Sequence, residues 1–157
     1  MRKIDNLLAE YGESHQNPVN KRIHWICVPL IFWTVTALLY SITVPIDIPF
    51  TDIQVNLAHI ALLLVFFYYV QLSLPLALGL FLFSVACLGL SYTIEQYIWP
   101  GKLWLIAIIV FIIAWIFQFI GHNIEGKKPS FIKDLQFLLI GPAWLTHFIY
   151  KKMRIAY

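Results

Sequence analysis

Charged residues are scarce in this chain, and their scarcity excludes an ordinary soluble domain. Only 12% of the 157 residues are charged and 61% are hydrophobic, whereas soluble domains carry about 25% charged residues. A soluble domain of this size leaves much of its area in water and could not hide so much apolar surface. The charges are also clustered, with long uncharged stretches between them. This pattern indicates an integral membrane protein.

Cysteine is nearly absent, and the chain has no phosphate-binding loop, internal repeat or low-complexity segment. The two cysteines, Cys27 and Cys87, lie far apart within predicted spans. They are interpreted as packing residues rather than a disulfide or a metal-binding pair. The net charge of +3 falls at the predicted cytosolic face, where anionic headgroups attract it. Nothing in the sequence indicates a nucleic-acid partner.

Uncharged stretches long enough to cross about 30 Å of hydrocarbon define the predicted spans. The four stretches are Ile23–Val44, Val55–Leu74, Leu76–Ile94 and Leu103–Gly121. Pro75 separates the second from the third, and the very short link there predicts a tight antiparallel hairpin. We therefore expect an all-α, polytopic membrane protein in which residues 1–157 form one domain.

The distribution of Lys and Arg predicts the orientation of these spans. Basic residues gather in the N-terminal segment, after the fourth span and at the C-terminus, whereas Lys102 is the one basic residue in the two intervening loops, 45–54 and 95–102. Both termini are accordingly expected at the cytosolic face, in a bacterial inner membrane or, in a eukaryote, the endoplasmic reticulum.

Two further segments are expected to lie along the membrane rather than to cross it. The first is an N-terminal amphipathic helix. Its apolar residues repeat at helical spacing: Ile4, Leu7, Leu8 and Tyr11. The second is Phe131–Tyr150, which begins with the polar residues Lys133 and Asp134 and contains Gly141-Pro142. A break at that pair predicts a re-entrant or interfacial pair of short helices.

Histidines are the main functional signal. His15, His24, His122 and His147 all fall at or near the predicted cytosolic face, whereas His59 lies about two turns into the second span from the outer side. Four histidines from different segments at one membrane level favour a shared site. The alternative is that they are separate interfacial residues that face water or headgroups.

The first histidine pair has a spacing that requires a turn. His15 and His24 are nine residues apart, which on one helix would place them on opposite faces. Asn17 is suited to cap a helix that begins with Pro18, so His15 can precede the helix and fold back. Asn20 lies one turn before His24 and could orient its imidazole.

The second cluster lies at the end of the fourth span. Gln118, His122 and Glu125 share one face if the helix continues to Glu125, and Gly121 permits close approach of another backbone or a ligand. His15, His24 and His122 could then supply three imidazoles to one ion. Glu125 is either a fourth ligand or a solvated charge. Mixed nitrogen and oxygen ligands suit Fe(II), Mn or Zn.

These motifs together resemble the Mpo1 family of small four-span membrane proteins. The shared strings are His15-x-Asn17-Pro18-x-Asn20-x-x-x-His24, Trp115-x-x-Gln118-Phe119-x-Gly121-His122 and Glu125-Gly126-Lys127-Lys128-Pro129. The resemblance implies an Fe(II)-dependent dioxygenase that shortens 2-hydroxy fatty acids by one carbon in fatty acid α-oxidation. It also implies that His15, His24 and His122 are the family's functional histidines. It assigns no role to His59 or His147.

Such a reaction implies a 2-hydroxy fatty acid and O2 as partners, with membrane lipid around the protein. The substrate's hydroxyl and carboxylate would chelate an open metal site, and its acyl chain would run into the bilayer. Asn17, Asn20 and Gln118 are candidates to support the ligands or contact substrate. Lys127, Lys128 or Arg22 would steer or hold the carboxylate, or would serve only as topology determinants.

Three rival functions differ in their expected residues. A membrane desaturase or hydroxylase would show additional His-x-x-x-His and His-x-x-His-His boxes, which this chain lacks. A b-type haem protein would need two facing histidines within spans, and His59 alone is clearly within one. A non-enzymatic lipid-binding or scaffold protein would hold no metal, so metal analysis separates it from the dioxygenase.

Overall fold

A computed structural model describes residues 2–47, 54–126 and 131–157. These residues form six α-helices and one short antiparallel β-hairpin. The helices are α1 (Lys3–Glu13), α2 (Pro18–Tyr40), α3 (Leu57–Leu72), α4 (Leu74–Thr93), α5 (Leu103–Glu125) and α6 (Phe131–Met153). The strands are β1 (Thr43–Asp47) and β2 (Gln54–Asn56). A π-helical turn, Ile94–Ile98, extends α4. The fold is all-α apart from this hairpin.

Three helical stretches of the described chain are long and apolar enough to cross a membrane. They are Pro18–Tyr40, Leu74–Ile98 and Leu103–Glu125. The helix α3 has 16 residues, which span about 24 Å at about 1.5 Å per residue, less than the roughly 30 Å of hydrocarbon. Membrane association therefore follows from three helices, and the crossing by α3 stays a prediction.

The predicted spans differ from the helices mainly where the first and second spans face each other. Residues 43–47 and 54–56 were assigned in part to spans, but they form the β-hairpin, so α2 ends at Tyr40 and α3 begins at Leu57. Asn56 caps α3, because its side chain accepts a hydrogen bond from the His59 backbone N–H at 3.3 Å. The helix α5, which corresponds to the fourth predicted span, continues past the predicted end at Gly121 to Glu125.

The hairpin of α3 and α4 is as tight as predicted. Ser73 is the one residue between the two helices, and Pro75 occupies the first turn of α4. The rings of Phe66 and Phe81 lie 5.5 Å apart across the pair.

The helix α2 is the centre of the bundle and contacts α3, α4, α5 and α6. Its largest interface is with α5. Gly121 allows the closest approach there, because a Cβ at that position would collide with the Asn20 side chain and would also lie 3.5 Å from Ile23. This contact lies beside His24 and His122 and fixes the separation of the helices that carry them.

The helix α1 is amphipathic as predicted, but its apolar face packs against protein. The four buried residues of α1 are Ile4, Leu7, Leu8 and Tyr11. They share a core with Ile140, Ala143 and Trp144 of α6 and with the α3–α4 hairpin. Burying this face against α6 removes it from both water and lipid.

The predicted break at Gly141-Pro142 is wrong, because α6 is one helix from Phe131 to Met153. Tertiary contacts compensate for the proline. Gly141 lets Val28 of α2 and Tyr11 of α1 approach within 3.0 and 3.2 Å of where a Cβ would stand. Within α6 itself, the Thr146 hydroxyl donates to the Pro142 carbonyl at 2.8 Å. Packing on α1 and α2 thus holds together a helix that the sequence alone would divide.

Candidate metal centre

The first histidine of the site lies in the turn between α1 and α2. Asn17 caps α2 by accepting a hydrogen bond from the Val19 N–H at 2.8 Å, and Pro18 is the first helical residue. Since the helix begins only there, the preceding turn folds back over it. The ring centroids of His15 and His24 consequently lie 4.2 Å apart. The predicted cap and turn are confirmed.

His122 of α5 completes a group of three converging imidazoles. Its ring centroid lies 5.4 Å from that of His15 and 5.0 Å from that of His24. One ligand atom from each histidine lies within 4.8 Å of the others. The three side chains are 2%, 1% and 9% exposed in chain order. Small side-chain rotations would bring three nitrogens onto one ion at bonds of about 2 Å.

Main-chain carbonyls set the protonation of two of these rings. The Nδ1 atom of His15 donates to the Tyr11 carbonyl at 2.6 Å, and that of His24 donates to the Asn20 carbonyl at 3.0 Å. A proton on Nδ1 leaves the Nε2 lone pair available as a ligand. The Nε2 atom of His15 is buried without a hydrogen-bond partner among the described residues. A buried acceptor with no donor is what an ion would satisfy, so these residues fit a metal.

Burial also keeps His15 in the form that could bind a metal. The pKa of His15 falls to about 4, chiefly because burial disfavours the charged imidazolium. His15 is therefore neutral near pH 7, and a neutral imidazole is the form that binds a metal.

Aromatic side chains from α1 and α6 cover this site. The Tyr11 ring stacks on His15 with centroids 4.2 Å apart and an interplanar angle of 9°. The ring centroid of Trp144 in α6 lies 5.5 Å from that of His15 and 5.2 Å from that of Tyr11. The sequence interpretation assigned neither residue to the site. The spacing of four between Tyr11 and His15 was a signal for the first, whereas no local pattern indicates Trp144.

Glu125 binds the turn that carries His15. One carboxylate oxygen accepts from the Gln16 N–H at 2.8 Å, and the other accepts from the Asn17 N–H at 2.9 Å and the Asn20 amide at 3.0 Å. The same amide also donates to the Ser14 carbonyl at 3.2 Å. Glu125 does not belong to the group of three metal-compatible residues. Its carboxylate ties the end of α5 to the start of α2.

The other predicted site residues have different positions. Gln118 is 7% exposed and lies one turn before His122 on α5. Asn20 reaches His24 through its backbone carbonyl, while its side chain bridges to Glu125. Lys127 lies outside the described residues.

The two remaining histidines do not belong to the group. His59 lies beside the far end of α2, with its ring 6.1 Å from Tyr40. That end is about 24 Å from His24, at about 1.5 Å per helical residue. His147 of α6 contacts the Tyr157 ring at 5.0 Å.

Comparison with known proteins gives one family and one curated relative. The family model described as 2-hydroxy-palmitic acid dioxygenase Mpo1-like matches residues 1–153. The Saccharomyces cerevisiae protein named 2-hydroxy-palmitic acid dioxygenase MPO1 is 30% identical over 149 residues, covering 92% of this chain and 78% of the yeast protein. No solved structure matches the chain. All three converging histidines lie within the family match.

Proposed function

This chain belongs to the Mpo1-like family of 2-hydroxy-palmitic acid dioxygenases, and from that premise we propose that it is an Fe(II)-dependent dioxygenase of 2-hydroxy fatty acids. The observation that carries the proposal is the group of three buried histidines, one of which has an unpartnered Nε2 atom. A lipid-binding or scaffold protein has no need of such a group.

His15, His24 and His122 would hold the iron. Imidazole is a ligand that suits iron, and no fourth His, Cys, Asp or Glu of the described residues joins the group. Bound Fe(II) supplies the redox chemistry that lets O2 react with a 2-hydroxy acid. Overall, one 2-hydroxy acid and one O2 give the acid shorter by one carbon, one CO2 and one water. This balance needs no external reductant, because the substrate supplies all four electrons.

The surrounding residues hold the three histidines in place and limit the access of water to them. Tyr11 and Trp144 cover His15, and limited access of water protects reactive species from side reactions. Glu125 holds the His15 turn against α5, so that three ligands from separate elements stay in register. We interpret Glu125 as a positioning residue, and Gln118 as a buried polar group available to substrate beside His122.

The proposed substrate is an amphiphile, and the proposed location of the site suits it. We propose that both termini and the metal centre lie at the cytosolic face, with the acyl chain in the bilayer. The basic residues that support this orientation include Lys21, Arg22, Lys151 and Lys152.

The direct test is turnover by the anaerobically purified, iron-loaded protein. 2-Hydroxypalmitate and O2 are expected to give pentadecanoate and CO2, detected by mass spectrometry, and palmitate without the hydroxyl is the matched control. Chelation should abolish turnover and Fe(II) should restore it. Iron-loaded protein that leaves 2-hydroxypalmitate unchanged would contradict the proposal, as would equal turnover of palmitate.

A further inference from the structure

A second feature near the metal centre is a groove between α2 and α5. Its volume is about 410 Å³, within the range of roughly 300–1,000 Å³ that small-molecule sites occupy. Nearly all of its lining is aliphatic or aromatic. Representative lining residues are Ile26, Leu30, Val110, Ile113 and Phe117, with Arg22 as the one charged member.

The groove lies on a different face of α2 from His24, and no histidine lines it. Val19, Ile23, Ile26 and Leu30 follow the spacing of three to four that marks one helical face. His24 follows Ile23 directly and is turned about 100° from it. The close contact of Asn20 with Gly121 lies at the same level. The groove is thus a separate cavity beside the metal centre.

The groove is open toward the bilayer. Ile26 is 65% exposed, and Ile113 and Phe117 are each 49% exposed. These side chains belong to helices that are long and apolar enough to cross a membrane, so their exposed faces meet lipid rather than water. An apolar chain can enter from the side without passing through water.

Arg22 gives this apolar groove a polar end. The residue lies in the second turn of α2, two residues before His24, and its side chain forms no ion pair within the described part of the chain. From Arg22 to Leu30 the groove follows α2 for about 12 Å, at about 1.5 Å per residue. One fixed cation at the end of one apolar groove complements a single-chain amphiphile with a carboxylate head. A guanidinium binds a carboxylate through two parallel hydrogen bonds.

We propose that this groove binds a fatty acid from the bilayer, with its carboxylate on Arg22 and its acyl chain along α2 and α5. The ligand class rests on the proposed function, because a fatty acid oxidase needs a place where its substrate leaves the lipid. The groove holds the head of that molecule at the depth of His24. It is a docking site for substrate, distinct from the residues that hold the metal.

Photo-crosslinking tests this without any need for turnover. The full-length protein in phosphatidylcholine nanodiscs would be labelled with palmitate carrying a diazirine on its chain, and labelled peptides located by mass spectrometry. Labels are expected in residues 26–30 and 110–117. Arg22→Gln should reduce the labelling about tenfold, and Ile113→Trp should reduce it by filling the groove.

Matched variants and competitors make the result decisive. Lys21→Gln removes a neighbouring cation that does not line the groove, and Ile112→Trp adds the same bulk to an exposed position on the other side of α5. Both should label as wild type. Unchanged labelling in Arg22→Gln would overturn the proposal. Equal competition by unlabelled palmitate and by 1-hexadecanol, which has the same chain but lacks the carboxylate, would also overturn it. If labelling follows the expected pattern but the protein does not turn over 2-hydroxypalmitate, the result contradicts the proposed function alone.

Discussion

At the scale of single residues, the main chain orients two of the three converging histidines. The Tyr11 and Asn20 carbonyls hold the Nδ1 protons of His15 and His24. Every residue has a main-chain carbonyl, so the residue types in the sequence do not reveal these orienting hydrogen bonds. The three histidines are visible in the sequence for the opposite reason, because the imidazole that could bind an ion belongs to the side chain.

His122→Ala is expected to abolish iron binding and activity, whereas His59→Ala should leave substantial activity. Loss of a ligand should cost more than the 10–100-fold typical of residues that only orient one, and His59 of α3 lies beside the far end of α2. Iron content and turnover should be measured at matched expression. If His59→Ala loses its iron while His122→Ala keeps it, the site lies within the membrane and uses other ligands.

Glu125→Ala is expected to weaken iron binding about 10–100-fold without removing a ligand. Two backbone N–H groups, those of Gln16 and Asn17, would lose their acceptor, and the His15 turn would lose its attachment to α5. Glu95→Ala is the matched control, since Glu95 accepts from Gly101 and Leu103 at the other end of the same helix. It should cost about 1 kcal/mol of stability and leave iron affinity unchanged. Unaltered affinity in Glu125→Ala would show that the turn holds His15 by itself.

At the scale of elements, local chemistry predicted what it directly controls. The cap at Asn17, the reversal at Ser73 and the apolar face of α1 follow from neighbouring residues, and all three are present. The continuity of α6 and the position of Trp144 depend on contacts between helices distant in sequence. The β-hairpin was missed because hydropathy does not distinguish a short apolar strand from the end of an apolar helix.

Gly121→Ala tests the interface that sets the distance between two ligands. The added Cβ would collide with the Asn20 side chain, so we expect destabilisation of about 1–3 kcal/mol together with weaker iron binding. Gly89→Ala in α4 is the control, because nothing lies within 4 Å of its Cβ position. That variant should be neutral or slightly stabilising. Denaturant titration in detergent measures the free energy of unfolding of both variants. Equal stability of Gly121→Ala and Gly89→Ala would mean that α2 and α5 can move apart without cost.

At the scale of the whole molecule, three histidines from two spans and one connecting turn form a site that no single element contains. The sequence predicted this convergence because the charge distribution predicts which segments lie at one membrane level, and residues at one level can meet. It could not predict which side chains cover the site, since depth says nothing about rotation around the bundle axis.

The topology carries its own prediction, that the C-terminus is cytosolic and α6 does not cross the membrane. Lys151, Lys152 and Arg154 follow α6, and translocating them would oppose the usual bias of basic residues. Cysteine labelling at position 157 in intact and permeabilised cells measures this, with a cysteine at position 46 as the outer-side control. Labelling of position 157 in intact cells would require an odd number of crossings.

The covering of His15 by α1 and α6 has a consequence for the order of events during synthesis. His24 is made about 100 residues before His122, a delay of about 5–20 s at 5–20 residues per second. Trp144 follows later still. The nascent chain therefore offers at most two of its imidazoles while most of the bundle is inserting, and the aromatic cover arrives after the third. If the site holds iron as proposed, only a nearly finished protein can capture the ion, and redox chemistry would not begin on an exposed, incomplete chain.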